Sequence, residues 1–190
     1  TFQVVANNKS LSIKDFMLEL PNSTLTLEGP SLKYDSLQSI PSFTDDLTYQ
    51  GNLKGNVCPK DFSAFFPTLE GIDDPMSVNL RYEGKAAEMS IPEIRLYNRK
   101  YMRFMANAAI RHWQGDGQEM QLEADLSRMY IPAEGLSYLS DKLKGIIPDI
   151  VGKLGHVDLK GNVRGSDTKL KVGGLLRTAS GDLEADVTMD

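Results

Sequence analysis

Residues 152–190 read GKLGHVDLKGNVRGSDTKLKVGGLLRTASGDLEADVTMD. From Val157 onward, Val157, Leu159, Gly161, Val163 and Gly165 are apolar or bare, and His156, Asp158, Lys160, Asn162 and Arg164 between them are polar. This period of two is the signature of a strand with one buried face. The last ten residues repeat it, with Leu183, Ala185, Val187 and Met189 set against Asp182, Glu184, Asp186, Thr188 and Asp190. Gly165-Ser166-Asp167 and Ser180-Gly181-Asp182 supply turn chemistry between the runs. The stretch predicts an antiparallel meander, wet on one face and apolar on the other.

The same alternation extends upstream. Residues 47–57 carry Leu47, Tyr49, Gly51, Leu53, Gly55 and Val57 on one parity. Further runs lie at 75–84 (Met76, Val78, Leu80, Tyr82), 86–97, 101–113 and 118–127 (Met120, Leu122, Ala124, Leu126). Pro92 shifts the parity of its run, which suits an edge or a bulge. Gln114-Gly115-Asp116-Gly117 predicts a hairpin loop. Residues 3–34 hold three or four more strands, and the slip between Ile13 and Phe16 predicts a bulge near Lys14-Asp15. Leu-Lys-Gly-Asn-Val occurs at 53–57 and again at 159–163, so internal repetition is a reading to test.

Two segments break the strand pattern. Pro59 to Phe66 opens with proline, places Phe62, Phe65 and Phe66 on one helical face and stops at Pro67, which predicts a short apolar helix. Residues 132–154 predict an amphipathic helix that starts at Pro132, presents Leu136, Leu139 and Leu143 on one face and is split at Gly145 and Pro148. Its polar face mixes Lys142, Lys144 and Lys153 with Glu134, Asp141 and Asp149, so it reads as cover for a sheet and not as a basic membrane-surface helix. The chain then divides into an N-terminal β meander (1–57) and two units of helix plus meander (58–130 and 131–190), all within one continuous structural domain.

Composition narrows the function. A net charge of −5 with scattered Lys and Arg argues against a nucleic-acid partner. Cys58 is the single cysteine and reads as a small buried residue at a strand end. His112 and His156 have no metal-ligand spacing, so no metal and no cofactor is expected. Asp45-Asp46 and Asp73-Asp74 read as turn residues, and neither GxSxG nor HExxH occurs. The expectation is a protein without catalysis whose working chemistry is apolar surface. Because the chain opens at Thr1, already strand-like, we expect a piece of a longer protein.

LSIKDFMLELPNSTLTLEGPSLKYDS, PKDFSAFFPTLEGIDDPMSVNLRYEG, PAEGLSYLSDKLKGIIPDIVGKLGHVDLKGNVRGS and GGLLRTASGDLEADVTMD together carry a strand-Gly-strand grammar over most of the chain. Their motifs are Leu53 to Val57, Val157 to Gly165 and Gly181-Asp182-Leu183. In this the chain resembles the TamB/AsmA-like envelope proteins, especially the long TamB-like proteins of Bacteroidetes. The resemblance implies a long antiparallel sheet folded over as a β-taco or β-groove, here with two short helical insertions. It also implies a periplasmic portion of an inner-membrane-anchored bacterial protein. The implied role is phospholipid transport or outer-membrane protein assembly, with phospholipid acyl chains, unfolded outer-membrane protein strands and an outer-membrane barrel as partners.

On this reading Leu47, Tyr49, Leu53, Val78, Leu80, Leu122, Leu126, Leu159, Val163, Leu183 and Val187 line a hydrophobic groove. A second reading makes them ordinary core, filled by Phe62, Phe65, Leu136, Leu139 and Leu143 from the helices. Two other classes stand beside the groove: a closed, lipocalin-like carrier of lipid or small molecules, and a glycan-binding or adhesive β-sandwich using Tyr97, Trp113 and Tyr130.

Overall fold

The computed structural model describes residues 3–14, 16–38, 40, 45–113, 118–142, 153–166 and 168–189. Its strands are β1 (Gln3–Asn7), β2 (Ser10–Lys14), β3 (Phe16–Leu20), β4 (Ser23–Lys33), β5 (Thr48–Val57), β6 (Met76–Lys85), β7 (Glu88–Asn98), β8 (Met102–Arg111), β9 (Gln121–Ile131), β10 (Val157–Ser166), β11 (Leu170–Thr178) and β12 (Gly181–Met189). They form one twelve-stranded sheet in the order β1-β2-β4-β5-β6-β7-β8-β9-β10-β11-β12, with β3 pairing β4 beside β2. Every pairing is antiparallel. The fold is therefore mainly β, a long meander. It is also open: β1 and β12 are two separate edges, so the chain is not a closed barrel.

Three strands carry an extra residue relative to their neighbours. β4 gains one on β5 between Glu28 and Ser31, at Gly29-Pro30. β7 gains one on both neighbours at Pro92, between Ser90 and Glu93 against β6 and between Ile91 and Ile94 against β8. β9 gains one on both neighbours between Leu126 and Met129. Each bulge lets the apolar set change parity and stay on one face, and each bends its strand. Pro92 thus marks a bulge inside the sheet and not an edge. The bulge expected near Lys14-Asp15 is seen instead on β4. Ser12↔Ser31 and Phe16↔Leu27 keep one register across the junction of β2 and β3, and Asp15 itself lies outside the described residues.

The first helical segment differs from the expected one. The expected helix over Pro59 to Phe66 is instead a 3₁₀ turn at Pro59–Phe62, followed by a second at Pro67–Leu69, because Asp61 N, Ser63 N and Phe65 N bond three residues back, to the carbonyls of Cys58, Lys60 and Phe62. Phe62 is half-buried, while Phe65 is 78% exposed and covers nothing. Helix α1 runs Ala133–Lys142. Leu143 and the remainder of the expected helix to Val151, like the hairpin loop at 114–117, lie outside the described residues.

The compact core is local. Ile72, Tyr101, Ile131, Leu136, Leu139 and Val157 are buried together, with Leu69, Met76, Met102 and Leu154 packed against them. The 3₁₀ turns follow β5 and α1 follows β9. These strands run in the same direction, so both insertions emerge at the same end of the sheet. There they form a cap. The Leu-Lys-Gly-Asn-Val copies, by contrast, sit on β5 and β10, which run in opposite directions. The repeated sequence therefore does not repeat in space.

Candidate apolar groove

Cross-strand pairing joins side chains into rows that run across the sheet, because directly opposed residues share a face. One row is Phe16, Leu27, Leu53, Leu80, Ile94, Ala106, Leu126, Gly161, Gly174 and Ala185. The next row toward the cap is Leu18, Leu25, Gly55, Val78, Leu96, Phe104, Met129, Leu159, Leu176 and Leu183. On the other side Ile91, Ala108, Ala124, Val163, Val172 and Val187 are joined in the same way. Beyond them Tyr49, Gly84, Met89, Ile110, Leu122, Gly165, Leu170 and Met189 form a further row. No residue in these rows is charged.

The interleaved positions make the opposite face polar. Glu28 and Lys54 pair across β4 and β5 at 2.7 Å, Asp125 and Arg164 across β9 and β10 at 2.7 Å, and Arg128 and Asp158 at 2.9 Å. These exposed pairs contribute little to stability, but they keep that face in water. The sheet is thus apolar on one side over its whole width. Leu53, Leu80, Ile94, Leu126 and Val163 are only half-buried, and among the described residues no second layer covers them.

The face is not uniform. Between β5 and β6, the Tyr82 ring lies over its partner Gly51 and the Tyr49 ring over its partner Gly84. The Tyr49 hydroxyl donates to the Glu88 carbonyl at 2.9 Å, and burial raises the hydroxyl pKa of both tyrosines above the usual range. The aromatic rings fill the floor here. From β8 to β12 the floor drops, because Ala106, Gly161, Gly174 and Ala185 have little or no side chain. A cavity of about 470 Å³ opens over them, walled by Phe104, Leu126, Leu159, Val163, Val172, Leu176, Leu183 and Val187. That β8 and β12 line one cavity shows that the sheet curls in this region.

One end of the groove is stoppered. Met129, Leu159 and Leu176, in the row nearest the cap, pack against the buried cluster that holds Leu136 and Leu139. The stopper is held by polar contacts at its rim. The Tyr101 hydroxyl donates to the Asp74 carbonyl at 2.7 Å, and its ring stacks on Tyr138 at 5.2 Å. The Tyr138 hydroxyl donates to Asp73 at 3.1 Å, and Lys142 lies 3.7 Å from the same carboxylate. These contacts, the hydroxyl first, lower the Asp73 pKa. Asp73-Asp74 is a clamp on α1. A second clamp closes on Asp61, which accepts from Ser23 Oγ at 2.6 Å and from Asn22 N at 3.0 Å. Cys58 is fully buried beside it and donates its N–H to Ser23 Oγ at 2.8 Å.

Of the residues expected to line a groove, Tyr49, Leu53, Val78, Leu80, Leu122, Leu126, Leu159, Val163, Leu183 and Val187 lie on this one face. Leu47 does not: it precedes β5, is 1% exposed and accepts from Ala86 N, so it is packed away under the β6–β7 turn. Of the expected helical cover, Leu136 and Leu139 are buried but seal one end and do not fill the groove. Phe104, Ala106, Val172, Gly174, Leu176 and Ala185 were missed as lining, although strand parity alone places each on the apolar side.

Among the described residues no group of His, Cys, Asp and Glu side chains could hold a metal, and no helix is long and apolar enough to cross a membrane. The chain matches no protein-family model, no curated protein and no solved structure.

Proposed function

We propose that this chain is a groove-forming segment, without catalysis, of a TamB/AsmA-like protein in the periplasm of a bacterial envelope. In this reading it belongs to an inner-membrane-anchored parent and carries phospholipid acyl chains along its apolar face toward the outer membrane. Help to outer-membrane proteins during assembly, with a barrel partner, is the companion role. The supporting observation is the apolar face, uncovered among the described residues, continuous from β3 to β12 and hollow over Ala106, Gly161, Gly174 and Ala185.

The energetics favour such a ligand. Each methylene moved from water onto this face contributes about 0.8 kcal/mol. The groove offers no charged group along its floor, so a lipid headgroup would remain at the rim, in water, while its chain lay inside.

The test is native mass spectrometry of the purified chain with extraction and identification of bound lipid, alongside Leu183→Asp and Val187→Asp. Both side chains are about half exposed or more, at 61% and 49%, so the variants keep the fold. Phospholipid bound to the wild type and lost from both variants is the expected result. A folded wild type that carries no lipid and takes up none when phospholipid is added would overturn the reading.

A further inference from the structure

In the central strands β4 to β11, the large apolar side chains left exposed among the described residues are Tyr97 and Met105, at 43% and 44%. Both lie on the polar side of the sheet, opposite in parity to the groove residues Leu96 and Phe104. Register groups them with four others. Tyr97, Arg103 and Tyr130 stand side by side across β7, β8 and β9, and Arg95, Met105 and Arg128 form the adjoining row. These adjacent positions hold only arginine, tyrosine and methionine. Those residue types are enriched where proteins meet, and Arg and Tyr dominate the energetic centres of such contacts.

The guanidinium groups are held in place. That of Arg103 lies over the Tyr97 ring, 5.6 Å from its centroid, and that of Arg128 over the Tyr130 ring at 5.2 Å. Stacking occupies the flat face of a guanidinium and leaves its N–H edge for a carboxylate. Arg128 already donates to Asp158 at 2.9 Å, and Arg95 lies 3.0 Å from Glu93. Arg103 has no ion pair or hydrogen bond among the described residues. The patch is therefore left with an uncompensated cation, in a chain whose net charge is −5.

We propose that this patch docks an acidic segment of another protein, with carboxylates on Arg103 and its neighbours and an apolar side chain on Met105. Arg95 and Arg128 flank Met105 from either side, two strand spacings or about 10 Å apart, so the site fits carboxylates set around an apolar residue. A second copy docked about a two-fold axis through the patch would set arginine against arginine, which is repulsive. A flat anionic membrane would also meet Glu83, Glu123 and Asp125 on the same side of the sheet, and a narrow segment avoids them. Patch and groove lie on opposite faces, so the inference does not rest on the lipid reading.

The test titrates the whole chain into a fluorescent peptide of repeating Glu-Glu-Leu and follows its anisotropy, beside a Gln-Gln-Leu counterpart. The acidic peptide is expected to bind, and the neutral one to bind about tenfold more weakly or less. Arg103→Glu is expected to lose the acidic peptide about tenfold or more. Lys33→Glu makes the same charge change at an exposed site of the same side, four strands away on β4, and is expected to keep it within about twofold. Failure of the acidic peptide to bind, equal binding of the neutral one, or equal loss in the two variants would each overturn the proposal. So would phosphatidylglycerol vesicles that capture the wild type and not Arg103→Glu, or an oligomer of the chain that Arg103→Glu dissolves. Lipid content is measured on the same samples, so a failed patch and an empty groove are told apart.

Discussion

Gly135 of helix α1 lies directly against the backbone of Tyr101. A Cβ on Gly135 would sit 2.6 Å from the Tyr101 carbonyl oxygen and would clash with its Cα. Only a bare backbone lets the helix come this close to the turn between β7 and β8. Gly135→Ala is expected to lift α1 from the groove end and to cost about 1–3 kcal/mol, as overpacking of a rigid contact does. Urea unfolding followed by circular dichroism measures it. A variant as stable as the wild type would show that the cap is not seated through this contact.

Tyr101 itself carries both packing and a buried hydrogen bond. Tyr101→Phe removes only the donation to the Asp74 carbonyl and is expected to cost about 1 kcal/mol. Burial holds the hydroxyls of Tyr101, Tyr49, Tyr82 and Tyr138 above the usual tyrosine range. Above about pH 10 the unfolded chain gives up protons that the folded chain keeps. Stability is therefore full below that pH and falls as pH rises through the raised folded values. Tyr101→Phe should show a shallower alkaline decline in urea midpoints, and parallel declines would remove Tyr101 from this account.

Asp61 joins the β3–β4 turn to the 3₁₀ turn at Pro59–Phe62. Its hydrogen bonds, Ser23 first and then Asn22, lower its pKa below the ordinary carboxylate range. The stabilisation is present above the unfolded pKa and is lost as pH falls through the lowered folded value. Asp61→Asn is expected to be less stable than wild type at neutral pH and to converge with it in acid. Curves that stay a constant distance apart down to low pH would contradict the assignment.

Cavity volume, not apolar surface alone, should set how much acyl chain the groove holds. Ala106→Leu adds three carbons where the floor drops, on a half-buried site with room above it. Uptake of a fluorescent long-chain fatty acid is expected to fall about tenfold, equivalent to losing contact with roughly two methylenes. Lys54→Glu on the polar face should leave uptake unchanged. Equal loss in both variants would point to a general effect on the fold.

Much of this architecture is legible residue by residue. Leu53, Gly55, Val78, Leu80, Leu159 and Val163 announce their face by parity alone, since a strand turns successive side chains to opposite sides whatever surrounds it. Pro92 announces a break in pairing because it brings no N–H to the ladder. The helical segments were harder to place. Phe62 and Phe65 share a spacing that fits a helix, but Pro67 and the turn geometry leave one half-buried and the other in water. Leu47 has the right parity for the groove and lies outside it, because the chain enters β5 from beneath a turn.

The sequence by itself determined the strands, their two chemically distinct faces and the absence of charge along one of them, because these follow from a local period of two. Only the tertiary structure decided that both insertions close the same end, and that Tyr49 and Tyr82 fill one half of the groove while Ala106, Gly161, Gly174 and Ala185 hollow the other. Those features depend on register and strand direction. Register is set by which strands meet and where bulges fall, and the pairings across β5–β6 and β9–β10 join residues whose separation in the chain no local pattern encodes.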